Sequence, residues 1–118
     1  MPAVALISDL MMQSQVSGAA ARASVSLEIA GSADALLAKV ESARPRLVIL
    51  DLSHPTIDPG ELVPRLKAII PPGGTVLAFG PHVHKGLLSA AADAGCDEVI
   101  SRGQFHAQME EILKRFAD

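Results

Sequence analysis

RLVILDLSHPTIDPGELV, residues 46–63, runs four apolar residues, Leu47, Val48, Ile49 and Leu50, directly into a carboxylate, Asp51. A short unbroken apolar run bounded by turn residues reads as a strand covered on both faces. The loop that follows carries His54, Pro55, Asp58, Pro59 and Gly60. An acid closing such a strand has two readings: a plain strand end in solvent, or a carboxylate placed to do chemistry. Working outward from it, AVALI (3–7) and TVLAF (75–79) are runs of the same kind. SVSLEI (24–29) instead alternates, with Val25, Leu27 and Ile29 on one side, which predicts an edge strand. EVIS (98–101) supplies a fifth short segment.

Each of these segments precedes a piece with helical spacing. In GSADALLAKVESA, Ser32 can cap the helix and Asp34 suits its first turn, while Leu36, Leu37 and Val40 form one face. In ELVPRLKAII the apolar set is Leu62, Val63, Leu66, Ile69 and Ile70, with Pro64 expected in the first turn, where a missing N–H does no harm. PPGG (71–74) stops that helix, and GGT (73–75) within the stop reads as a turn, not a phosphate loop. HKGLLSAAADAG ends at Gly95, a residue suited to a left-handed cap. The last helix carries Phe105, Met109, Ile112, Leu113 and Phe116 on one face; the first, within 11–23, is weakly patterned. Strand and helix therefore alternate five times, which predicts a parallel sheet between two helical layers. Ligand sites in such sheets lie beyond the carboxyl ends of the strands. That rule brings Ser8–Asp9, Asp51–His54, Gly80–His84 and Ser101–Gly103 to a common rim.

Composition narrows the classes. The 118 residues suit one domain, and 49% of them are hydrophobic, which argues against disorder. With three Phe and neither Trp nor Tyr, aliphatic residues must fill the core. The net charge is −3 and the basic residues are scattered, so no basic stripe or aromatic platform favours nucleic acid. The single cysteine, Cys96, cannot form an internal disulfide, and it reads as a small packing residue. No apolar run approaches the roughly 20 residues of a membrane span, and the start lacks a basic signal segment. A cytoplasmic domain is expected.

LVILDLSHPTIDPGEL and AADAGCDEVISRG together resemble the receiver domains of two-component response regulators, over nearly the whole chain. The resemblance implies a flavodoxin-like fold with a five-stranded parallel sheet in the order 2-1-3-4-5, as a single receiver-like domain over 1–118. It implies that Asp51 holds the phosphoacceptor position, and that Asp9, Asp51 and the carbonyl of Ser53 form a weak Mg²⁺ site. It also marks departures from the family pattern. Ser8 replaces one of two adjacent acids, Gly80 stands where a threonine or serine binds the phosphoryl group, and Arg102 stands in place of a lysine. Val99 occupies the position of an aromatic switch residue.

The expected function is a signalling module, not an enzyme, with a degraded phosphoacceptor site and a surface around Lys85, Leu88 and Val99. Its partner would be a histidine kinase or a downstream signalling protein, with no direct nucleic-acid or membrane contact. One alternative is a slow, Mg²⁺-dependent phosphoacceptor at Asp51. Another is a metal- or small-molecule-binding protein using the rim histidines His54, His82 and His84, since imidazole and carboxylate together suit transition metals. Asp9 has a plainer reading as an exposed loop acid or a cap on the first helix. His106 reads as a surface residue, and one of Met11 and Met12 is expected in the core. The chain is either a stand-alone protein or a piece of a longer one.

Overall fold

The computed structural model describes residues 2–117, so Met1 and Asp118, the ends of the expected domain, lie outside the described residues. Five strands alternate with five helices: β1 (Ala3–Leu6), α1 (Leu10–Arg22), β2 (Leu27–Ala30), α2 (Ala33–Ala43), β3 (Leu47–Asp51), α3 (Pro59–Ile69), β4 (Thr75–Gly80), α4 (Lys85–Ala94), β5 (Glu98–Ser101) and α5 (Arg102–Lys114). The strands form one sheet in the order β2-β1-β3-β4-β5, every neighbouring pair parallel. This is the flavodoxin-like arrangement expected from the chain, with β2 at an edge. Among the described residues no helix is long and apolar enough to cross a membrane.

Period-two alternation along the central strands splits the core into two. Ala3, Ala5, Ile7, Leu47, Ile49, Leu77 and Phe79 meet α1 and α5 on one face. Val4, Leu6, Val48, Leu50, Val76 and Ala78 meet α2, α3 and α4 on the other. Because both faces are covered, β3 is buried at all five positions, which is why its sequence does not alternate. Phe79 stacks on Phe105 with ring centroids 4.3 Å apart, an anchor between sheet and α5 that offsets the scarcity of aromatics.

Local signals set most of the boundaries. Ser32 Oγ accepts from the Ala35 N–H at the start of α2, and Gly95 closes α4 at φ 113°. Two expectations need correction. The second strand begins at Leu27, because Ser24 turns at φ 59° and the Val25 N–H bonds the Ala20 carbonyl; Val25 is buried as part of a helix-closing turn. Pro64 is not in the first turn of its helix: α3 starts at Pro59, putting Pro64 inside. Pro64 and Gly60 are both exposed, so water can reach the carbonyl left without an intrahelical donor.

Candidate functional site

The parallel sheet delivers the ends of β1, β3, β4 and β5 to one rim. Register places Leu6 beside Leu50; one step on, Ile7 falls level with Asp51, and Ser8, the next residue, bonds its carboxylate. Asp51 has no solvent exposure. Its carboxylate is held by three donors: Oδ2 accepts from the Ser8 hydroxyl at 2.7 Å and the Ser8 N–H at 3.1 Å, and Oδ1 from the Ser53 N–H at 2.9 Å. A carboxylate offers roughly four acceptor sites. Three are used here by neutral partners, which is how a buried strand can end on an acid at tolerable cost.

Ser8 therefore has a role that its reading as a missing acid did not contain. The signal was available in the order and register of β1 and β3, which bring residue 8 alongside residue 51.

Asp9 turns away to other tasks. Its Oδ1 accepts from the Met11 N–H, capping α1, and its Oδ2 pairs with Arg102 Nη2 at 3.0 Å. Arg102 thus reaches the rim from the start of α5, but its partner is Asp9. The sequence-identified residues do gather at one end of the sheet, in two adjoining clusters: Ser8–Asp51–Ser53 and Asp9–Arg102.

This donor set does not fit a Mg²⁺ ion. The cation requires near-octahedral oxygen ligation at about 2.0–2.1 Å. Asp51 Oδ2 already carries two hydrogen-bond donors, and both Asp9 oxygens are engaged, one by a guanidinium.

Gly80 ends β4 on the face toward α4. A Cβ added there would stand 3.3 Å from Leu52 Cβ and 3.4 Å from Leu88 Cδ2. A threonine or serine side chain there would crowd two leucines, which would have to shift slightly to admit it. Leu88 and Val99 pack against the same cluster of buried residues as Leu52, while Lys85 is exposed at the start of α4.

The histidines do not form a common site. His54 Nδ1 faces the backbone N–H and hydroxyl of Thr56, a bond local to its own loop. His82, His84 and His106 are exposed. Among the described residues no three His, Cys, Asp or Glu side chains converge as a metal site would require. Met12 is buried and Met11 exposed, as expected of the pair.

Cys96 is half-buried; burial, reinforced by the Asp97 charge, pushes its thiol up to about 11, so it stays protonated and unreactive at neutral pH. Asp97 belongs to the AADAGCDEVISRG motif, but the sequence alone assigns it no partner. At the opposite end of the sheet it accepts from the Val76 N–H at 2.8 Å and from Lys67 Nζ at 2.8 and 2.9 Å. Partial burial opposes its ionisation, yet these donors hold its carboxyl below the usual value of 3.8. An acid directly before a strand was the available clue.

The same architecture recurs in solved receiver domains. A response-regulator receiver domain from Bermanella marisrubri superposes with a TM-score of 0.81 at 18% identity, covering 98% of this chain and 96% of that one. This is the receiver fold. The receiver domain of the putative response regulator NarL from Mycobacterium tuberculosis gives 0.77 at 15% identity, over 95% of this chain and 91% of that one. A CheY-like receiver domain protein from Methanospirillum hungatei gives 0.75 at 18% identity, over 98% and 95%. In sequence, the chain is 35% identical over 86 residues to the transcriptional activator protein ExaE of Pseudomonas putida, a match covering 73% of this chain. That match takes in 40% of ExaE, so the chain spans well under half of that relative's length. No protein-family model matches the chain.

Proposed function

We propose that this receiver-fold chain is a signalling module, not an enzyme, that acts through protein–protein contact and stays in one state whether or not phosphate is offered. The observation that carries this reading is the crowding at Gly80. Leu52 and Leu88 press on the position from which a hydroxyl side chain would otherwise follow a phosphoryl group. With Val99 also packed inward, the route from Asp51 to the surface of α4 and β5 lacks a moving part.

The contact surface would be centred on Lys85, Leu88 and Val99. The partner would be a histidine kinase or a downstream signalling protein in the cytoplasm. Transcriptional activation describes ExaE, and no direct contact with nucleic acid is assigned to this chain.

The test is incubation with a small phosphodonor and Mg²⁺, followed by intact mass. The expected result is unmodified protein. A stoichiometric phosphoryl adduct, absent from Asp51→Asn, would instead establish the second reading, a slow phosphoacceptor. That reading draws support from Asp51 Oδ1, which accepts one hydrogen bond and keeps a lone pair.

A further inference from the structure

We infer that Ser8 does the work of a cation at this rim: its hydroxyl and N–H hold the Asp51 carboxylate in a metal-independent clamp, and this one side chain excludes divalent metal. The inference deepens the reading above and rests on the receiver fold of the rim, though not on any partner.

Three observations carry it. The Ser8 hydroxyl lies 2.7 Å from Asp51 Oδ2, so the side chain at position 8 points at the carboxylate. Asp51 is fully buried and receives its three bonds from neutral donors of Ser8 and Ser53. The neighbouring acid, Asp9, is already neutralised by Arg102. The rim therefore has no uncompensated pair of carboxylates that would call for a divalent ion.

The chemistry at position 8 makes the inference reversible. A carboxylate there would face the buried Asp51 at hydrogen-bonding distance, and like charges so close disfavour each other's ionisation unless a proton or a cation lies between them. Ser8→Asp should thus convert the clamp into an oxygen-rich cation site of the kind Mg²⁺ or Mn²⁺ accepts. Ser8→Asn, matched in size but neutral, should not.

The experiment is thermal unfolding of wild type, Ser8→Asp and Ser8→Asn in EDTA and across a Mg²⁺ titration. Mn²⁺ line broadening of wild-type backbone amides is recorded in parallel. Wild type and Ser8→Asn are expected to melt at the same temperature in EDTA and in Mg²⁺. Ser8→Asp should melt lower in EDTA and rise by roughly 5 °C once Mg²⁺ reaches ten times its dissociation constant.

A saturable Mg²⁺ shift in wild type that Asp51→Asn abolishes overturns the inference. So does a folded Ser8→Asp indifferent to Mg²⁺, or Mn²⁺ broadening centred on the wild-type amides of Ser8, Asp51 and Ser53. The wild-type measurements decide the matter even if Ser8→Asp does not fold. Metal binding by wild type would leave the partner-contact reading standing, because that reading fails only on a phosphoryl adduct.

Discussion

Two aspartates at opposite ends of the sheet show two ways of settling an acid in this fold. Asp51 closes β3 at the carboxyl rim, fully buried, and its bonds come from hydroxyl and backbone N–H groups. Asp97 precedes β5 at the amino end and remains exposed. It ties the start of β4 through Val76 while facing the Lys67 ammonium. The first is stabilised by short, directional bonds to a carboxylate that solvent does not reach. The second gains from an opposite charge that water and salt screen. Position in a sheet does not fix how an acid is used; the partners around it do.

The largest expected effect of breaking this contrast lies at Asp51. Asp51→Ala strands the three donors of Ser8 and Ser53, although both serines are exposed enough for water to reach part of them. A loss of about 2–3 kcal/mol in urea denaturation is expected. A neutral or stabilising result would mean that Asp51 is kept at the expense of stability, as active groups commonly are, and would favour the phosphoacceptor reading.

Next in size is Gly80, at the end of the neighbouring strand β4. Gly80→Thr pushes a branched side chain against Leu52 and Leu88, with Cβ contacts already at 3.3–3.4 Å. Overpacking of this kind is expected to cost about 2 kcal/mol. Trimming Leu88 to Ala in the same chain should recover part of the loss, and a double-mutant cycle in urea measures how much. Strict additivity of the two changes would show that Leu88 is not what crowds the position, weakening the case for a fixed α4.

The contrast also explains what could be read from the chain alone. The five strands announced themselves because both faces of the sheet are covered, leaving unbroken apolar runs such as Leu47–Leu50. The rim followed from the rule that parallel strands present their carboxyl ends together. The pairings did not follow. Ser8 had to be seen beside Asp51, which takes strand register rather than local pattern. Arg102 has two acids within its neighbourhood in sequence logic, and only side-chain geometry selects Asp9. Leu52 reads as one more apolar residue after β3, yet its direction decides what position 80 can hold. Val25 and Pro64 misled for a related reason: a closing turn buries one, and solvent tolerates the other, effects that periodicity does not encode.

Asp97 gives a smaller and differently shaped effect. Its carboxyl is held below its ordinary value of 3.8, so its contribution is fully present above that pH and disappears as pH falls through the folded-state value. Because the pair is 33–38% exposed, screening limits Asp97→Ala to a loss of about 1 kcal/mol near neutrality. The variant should also show a shallower acid limb in a stability–pH profile. An unchanged acid limb would mean that neither Lys67 nor the Val76 N–H holds the carboxyl below its ordinary value.

The smallest effect belongs to the pair joining α1 and α5, Asp9 with Arg102, whose side chains are 44% and 36% exposed. A pair this open should couple by less than about 1 kcal/mol in a cycle of Asp9→Asn and Arg102→Ala, and the coupling should shrink as salt is raised. The value matters beyond its size. A larger, salt-resistant coupling would mean that the rim shuts water out around these charges, giving Arg102 the setting of a group reserved for an anion. A weak, screened coupling leaves it as a surface tie beside a carboxylate that Ser8 already satisfies.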